Sequence, residues 1–320
     1  MTTYKALKGK KVKFFTSDPP AAVAEGQVWY NNSAQDYKTS ITSEAWAAGG
    51  NMNTGRKNLS GTGTQTAGLI FGGTAPPFSA LTEEYDGSSW TESGDLNTAR
   101  DSAYPFGTQT AAVMAAGYGG PPNGFKNSTE EYNGSAWANG NNVPGPRAQG
   151  GGSGTLTAGL IFGGNGGSPE TAQTSSQEYD GTNWTAAPGL NTADRYISGC
   201  GATVPATLKI GGENDPDGCE SYNGSTWTVV ANLNTGRHSA AASGTQTAGL
   251  YFGGNPSLTT TEGFNGTAWS TKPALASGQE DTSGTNTGTA TAAWVAGGHP
   301  ALNNVEEFTS AAAIKTITDS

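Results

Sequence analysis

The chain has 320 residues, 34% of them apolar, 49 glycines and a net charge of −10. This composition excludes a conventional Leu-rich core, and the negative balance argues against non-specific nucleic-acid binding by the body. No apolar run approaches the ~20 residues of a membrane span, and no secretory leader pattern is expected.

The first thirteen residues carry Lys5, Lys8, Lys10, Lys11 and Lys13 and no acid, so the rest of the chain holds −15. A basic arm on an acidic body reads as an anchor for an acidic partner. Two short β segments are expected in it. One is Lys11-Val12-Lys13-Phe14-Phe15; the other is Gly26-Gln27-Val28-Trp29-Tyr30-Asn31, beyond the break at Ser17-Asp18-Pro19-Pro20. Lys5, Lys8, Lys10, Lys11, Lys13, Phe14, Phe15, Trp29 and Tyr30 are the candidate docking residues of an arm spanning residues 1–41.

From residue 42 to residue 312 one segment recurs six times. Its anchor is a Gly-Gly doublet after an apolar run, ending at Gly73, Gly120, Gly164, Gly212, Gly254 and Gly298, with spacings of 47, 44, 48, 42 and 44 residues. A period of this size marks one supersecondary unit repeated, in which no unit buries its own apolar face. Function is therefore sought where the repeats differ.

Residues 97–137 serve as the type unit: a linker at 97–100, a strand to Phe106, a turn at 107–110, a strand through AAVMAAGYGG, a variable loop at about 121–128, a strand carrying Thr129-Glu130-Glu131-Tyr132, and a strand opening near Trp137. Asp86-Gly87, Asn133-Gly134, Asp180-Gly181, Asn223-Gly224 and Asn265-Gly266 fall between the third and fourth strands and predict two-residue type I′ hairpins. Trp46, Trp90, Trp137, Trp184, Trp227 and Trp269 hold one position in the unit, and Tyr85, Tyr132, Tyr179, Tyr222, Phe264 and Phe308 another. Aromatics repeated in every unit are read as packing between sheets. Arg56, Arg100, Arg147, Arg195 and Arg237 recur with Glu83, Glu130, Glu220, Glu262 and Glu306, Gln177 standing in once, and are read as a structural lattice.

Four strands, the doublet, an aromatic before a turn and a Trp opening the last strand resemble the kelch repeat of β-propellers. The resemblance implies an all-β, six-bladed kelch-type propeller with a short N-terminal β arm. Trp46 begins a fourth-strand motif with no first three strands before it, and the last unit lacks its Trp. The strand of Trp46 is therefore expected to complete the last blade and remove both sheet edges, while residues 313–320 also read as a strand that could compete for that place or add beside it. The phrase TSDPPAAVAEGQVWYNNSAQDYK is similar to attachment segments of bacteriophage fibre and virion-surface proteins, and NLNTGR…GTQTAGL(I/Y)FGG…EEYDG(T/S)xW to kelch-like propellers of marine bacteriophages.

The turns between first and second and between third and fourth strands are short and uniform. The second-to-third loops vary, which is where a rigid scaffold carries recognition. Phe78, Phe125, Lys126, Asp215, Asp217 and His299 are the candidate binding residues on that face. The arm is expected to enter on the opposite, uniform-turn face.

Little points to catalysis. His238 and His299 lie in different units and structural positions, unlike the ligands of a copper oxidase of the galactose-oxidase type. Cys200 and Cys219 fall on first and third strands, roughly 10 Å apart at ~4.8 Å per strand, and are read as free thiols. No nucleophile elbow, metal cluster or phosphate loop is found. The expectation is a non-enzymatic virion protein without cofactor or metal, assembled in the host cytoplasm. It would dock on other virion proteins through residues 1–41 and present loops to a host-surface glycan, with no membrane insertion and with room for a homo-oligomer on the particle. A polysaccharide-active enzyme on the same scaffold is the alternative, for which paired loop-face carboxylates with raised pKa values would be the sign.

Overall fold

The computed structural model describes residues 13–21, 27–121, 124–166 and 170–317. Packing divides the chain into a small unit, drawn from Met1–Ala45 and Thr309–Ser320, and a large unit, Trp46–Phe308. The fold is all-β. Among the described residues, five antiparallel sheets of the large unit hold four strands each in sequence order. The type unit is Tyr104–Thr108, Ala111–Tyr118, Phe125–Tyr132 and Trp137–Gly140. A sixth sheet of the large unit combines Ser283–Gly284, Ala292–Ala296, the start of Val305–Thr316 and residues 46–48.

The expected closure by Trp46 is seen in its contacts. Indole N–H groups reach back to the residue three before the aromatic that closes the preceding unit's third strand: Trp137 Nε1 donates to Thr82 Oγ1 at 2.9 Å and Trp184 Nε1 to Thr129 Oγ1 at 3.1 Å. Trp46 Nε1 makes the same bond to Thr261 at 3.0 Å, with its ring against Phe252 and Phe308. Where that residue is Ser176 or Cys219, the next indole donates instead to a backbone carbonyl, of Pro188 or Ala231. The tyrosines run the same way: Tyr132 Oη donates to Glu84, Tyr179 to Glu131 and Tyr222 to Glu178, while Tyr85 of the first unit donates to Glu307 of the last at 2.6 Å. The first strands, beginning at Ser60, Tyr104, Gly151, Ser198, Ala241 and Ser283, touch in turn, and the last touches the first. The C-terminal segment does not compete for the closing position, because it continues the strand Val305–Thr316.

The Arg–Glu lattice is internal. Arg56–Glu83, Arg100–Glu130 and Arg237–Glu262 pair at 2.7, 2.5 and 2.6 Å with every side chain essentially inaccessible. Burial pulls the Arg56 and Arg100 guanidinium pKa values down, opposed by the paired carboxylate. Arg195 is a correction: it is half-buried and pairs with Glu213. Asp194 takes the lattice position and pairs with buried Lys209 at 2.8 Å. Arg147, in the unit where Gln177 stands in for the glutamate, makes no ion pair among the described residues and donates to Ser175 and Pro144.

The turns after the third strands also differ from expectation. Tyr85 pairs with Trp90 across four residues, not two. Asp86 Oδ1 accepts from the N–H groups of Ser88 and Ser89, and Gly87 alone takes positive φ, at 92°. Asn133, Asp180, Asn223 and Asn265 repeat this. Asn or Asp is there to cap the loop with its side chain, while glycine supplies the left-handed residue. Cys200 and Cys219 are free and buried, and burial pushes both thiols up to about 12, so neither is a nucleophile.

In the small unit Lys13–Phe15 pairs in parallel with Val28–Asn31, which runs antiparallel to residues 36–39. Trp29 is 1% exposed and donates to Asp18 Oδ1 at 3.0 Å, joined by Asn31 Nδ2 at 2.7 Å. Those bonds lower the Asp18 pKa. At the C-terminal end Lys38 Nζ donates to Thr316 Oγ1 and the Ile317 N–H to the Tyr37 carbonyl, so the C-terminal segment adds beside this strand.

Candidate functional site

Each linker of the large unit delivers one residue in left-handed backbone just before a first strand: Asn58, Ser102, Gln149, Tyr196, Ser239 and Asp281, with φ between 51° and 65°. Their main chains are strung together. Ser102 N–H donates to Asn58 O, Gln149 to Ser102, Ser239 to Tyr196, Asp281 to Ser239 and Asn58 to Asp281, at 2.8–3.1 Å. A left-handed non-glycine residue is uncommon; six at equivalent positions mark a geometry the ring imposes. Their backbones are equivalent while their side chains are all polar and mostly different, so the repeats diverge here most clearly.

These residues rim a cavity of about 120 Å³ on the ring axis. The sixth unit supplies its floor. Its first strand stops after Gly284, and the segment that follows crosses the ring. Asn286 Nδ2 donates to Pro105 O at 2.8 Å, Gly201 N–H donates to Asn286 O, and Thr287 Oγ1 donates to Gly107 O at 2.9 Å. Three of the residues that line it also hold a buried, inaccessible oxygen with no hydrogen-bond partner among the described residues: Gln149 Oε1, Thr282 Oγ1 and Asn286 Oδ1.

The rim is weakly acidic. Burial raises the Asp281 carboxyl, helped by Glu280 and opposed by Lys57, His299 and a hydrogen bond with Ser239. Burial pushes the neighbouring Asp101 up to about 6, against hydrogen bonds from Thr74 and Ser102, with the charge of Asp281 adding to the rise. Between about pH 4 and pH 6 the folded protein therefore keeps a proton on Asp101 that the unfolded chain has released, and stability falls as pH rises through that window. Above it the buried charge costs up to about 3 kcal/mol. Asp101→Asn is expected to be more stable than wild type at pH 7 and nearly equal at pH 4. Melting curves at both pH values test this, and parallel pH profiles for the two proteins would contradict it.

The candidate loop residues divide. Phe78 and Phe125, chosen from different units, are brought together by Tyr118, whose ring meets them edge-on at 5.8 and 5.6 Å. All three are half-buried. Phe78 lies on Gly120, where a Cβ would come within 2.2 Å of its ring, so only glycine permits this packing. Tyr118 exchanges both backbone hydrogen bonds with Asp101, which places the aromatic group beside rim residue Ser102. Phe125 and Lys126 are corrected from loop to strand: the third strand starts at Phe125 and passes a bulge between Lys126 and Thr129. Asp215 folds over Gly218, and Asp217 accepts from Asn232 Nδ2 and the Leu233 N–H, so both serve their own turn. His299 is exposed, its Nδ1 3.3 Å from Lys57 Nζ. In the arm Phe14 is 67% exposed and its ring leads to Tyr30 and Tyr37 at successive spacings of 5.7 and 5.1 Å. Lys13 is exposed and Phe15 half-buried. Trp29 is corrected from docking contact to core, its indole being sealed by Asp18. Lys5, Lys8, Lys10 and Lys11 lie outside the described residues.

The arrangement is one of polar side chains around a cavity, with an aromatic group beside rim residue Ser102. Among the described residues no group of three or more His, Cys, Asp or Glu could hold a metal ion. The rim and its floor escaped sequence reasoning because no residue type marks them; only the equal distance of each rim residue from the following first strand carries the signal.

Comparison with known proteins bears on the fold alone. The chain is similar to a solved structure titled "Structure of YjhT", with a TM-score of 0.66 at 14% identity over 82% of this chain and 99% of that one. No protein-family model matches the chain, and no curated protein matches it.

Proposed function

We propose that the large unit is a six-bladed kelch-type β-propeller, and that the chain is a non-enzymatic structural protein of a bacteriophage virion. The arm, residues 1–41, docks it on other virion proteins, and the loop face meets a host-surface glycan. The observation that carries this reading is where apolar surface is left uncovered. Of the large hydrophobic side chains exposed among the described residues, Phe14, Ile41 and Ile317 belong to the small unit, and Val229 alone to the large one. Exposed apolar side chains concentrated in one small unit suit it to contact with another protein, and the lysines of the arm add attraction to an acidic partner. The similarity of residues 16–38 to phage attachment segments supports the virion as that partner. Phe78, Tyr118 and Phe125 suit the loop face to sugar stacking. Weak contacts of this kind gain from many copies on one particle.

Deleting residues 1–41 is expected to leave the large unit folded and to abolish attachment to particles. Sedimentation of purified phage with the full-length and truncated proteins tests this; retained attachment by the truncated form would reject the docking role.

A second reading, a polysaccharide-active enzyme, draws on the raised carboxyls of Asp101 and Asp281 at the loop face. Asp101 is 6% exposed and is held by Thr74 and Ser102, which favours a structural role for it. Release of reducing sugar from host polysaccharide, lost in Asp281→Asn, would establish the enzyme instead.

A further inference from the structure

We infer that the outer edge of the C-terminal strand, residues 310–316, pairs with the same edge of a second copy of this chain about a twofold axis at Ala313. The residues involved all belong to the small unit, and nothing in the pairing depends on the virion reading.

The direction of each backbone group on Val305–Thr316 follows from its partners. On one side the strand lies against Asp36–Ala48. The Ile317 N–H donates to Tyr37 O, and the Gly49 N–H to Val305 O. Both strands advance equally between those bonds, so the register holds without a bulge and odd-numbered residues bond toward Asp36–Ala48. Even-numbered residues bond toward the other side, where Asn304 O accepts from the Gly297 N–H. The neighbour on that side, Ala292–Ala296, reaches only as far as Thr309 in this register. Beyond it Ser310, Ala312, Ile314 and Thr316 turn four N–H and four C=O groups outward, with no strand against them among the described residues.

An open edge invites pairing, and folds blunt such edges by keeping them short or charged. The other outer edges here are short. The fourth strands of the five four-stranded sheets have four residues or fewer, as in Trp90–Ser93 and Trp227–Val229. The far edge of the small unit's sheet is Lys13–Phe15, three residues opening on a lysine. Residues 310–316 are instead continuous strand with one charge, Lys315, and no proline.

A second copy fits this edge in register. With the axis at Ala313, Ser310 meets Thr316 of the partner and Ala312 meets Ile314, and each such pair exchanges two backbone bonds. All outward groups of both copies are then paired. Ala311 meets Lys315 and Ala313 meets its own copy, so no like charges are opposed. Charge also favours this unit for contact between copies. The small unit holds seven lysines against five acids, whereas the large unit carries −12 and repels another like it. An edge about 24 Å long and one sheet, roughly 10 Å, thick buries far less than the ~800 Å² per partner of a stable complex, so the dimer is weak, in the micromolar range or above. Phe14, Tyr30, Tyr37 and Ile317 are register partners on one face of the sheet. The axis stands perpendicular to the sheet, so a dimer presents that row twice on the same side.

Sedimentation velocity of the full chain between about 5 and about 200 µM tests this, and a reversible monomer–dimer equilibrium is expected. Ala312→Pro removes one outward N–H and no bond to Asp36–Ala48, a place where an edge strand tolerates proline. It should leave the protein monomeric with a melting temperature near wild type. Ala313→Lys and Ala313→Glu each set like charges opposite one another across the axis and should weaken dimerisation about twofold to fivefold. An equimolar mixture of the two should recover it. A wild-type chain that stays monomeric at every concentration would overturn the proposal. So would a dimer that survives Ala312→Pro, or a mixture no stronger than its components. A monomeric wild type whose pelleting with phage is lost in Ala312→Pro would overturn it as well, and give the edge to a strand of another virion protein.

Discussion

Trp46→Ala is expected to cost about 3 kcal/mol of unfolding free energy, the lower end of the range for a large aromatic because this ring is partly exposed. The loss has more than one source. The indole packs on Phe252 and Phe308 at 5.0 and 5.3 Å, and its N–H is the bond to Thr261 that joins the last sheet to the fifth. Trp137→Ala removes an equivalent indole, against Phe71 and Thr82, from a sheet whose four strands are consecutive in the chain. Both variants lose packing, but Trp46→Ala also weakens the sheet made from both ends of the large unit. Urea unfolding followed by tryptophan fluorescence and by circular dichroism checks the difference. Trp137→Ala should keep coincident transitions, whereas Trp46→Ala should separate them as the last sheet opens first. Coincident transitions in Trp46→Ala would mean that residues 46–48 are dispensable for closure.

Arg100→Met should be still more damaging, at about 3–5 kcal/mol, because it strands Glu130 without a cation in a fully buried position. The converse, Glu130→Gln, should be milder. The third unit already has glutamine, Gln177, at the glutamate position, and its Arg147 guanidinium finds Ser175 and Pro144. The double variant Arg100→Met with Glu130→Gln should recover part of the loss, and a double-mutant cycle measured by chemical denaturation reads the coupling. Additive single effects would show that the pair does not act as a pair. The lattice is also a device for loop support. Glu130 accepts from the Asn97 N–H while Arg100 reaches the Met114 carbonyl, so one ion pair holds a linker against a second strand.

How much of this was legible depended on whether a residue type or a position carried the information. The four-strand unit, the aromatic pairs and the buried lattice could be read, because burial restricts those sites to an aromatic, Arg or Glu in most copies. The fourth unit misled: Arg195 matches by type, but counting from Asn191 puts Asp194 where Arg237 stands in the next unit, and Lys209 supplies the charge from another strand. The Asn-Gly and Asp-Gly pairs located every turn but not its type, since the same dipeptide suits a two-residue hairpin and a side-chain-capped loop of four. The cavity rim was illegible for a deeper reason. A left-handed φ at Asn58, Gln149 or Tyr196 is forced by the ring and leaves no mark on residue choice.

Closure from both ends also has a consequence for how the protein is made. The Gly49 N–H donates to the Val305 carbonyl, and Gln65 to Phe308, so the earliest part of the large unit to leave the ribosome waits for nearly the latest. At ~5–20 residues per second that wait lasts on the order of tens of seconds. Throughout it residues 46–48 form a strand without its partner in the last sheet, the condition that favours wrong pairing between chains. Truncation products ending before Val305 should therefore collect in aggregates or with chaperones, whereas a circular permutant opened in a linker between two interior sheets, with every sheet consecutive in the chain, should escape that delay.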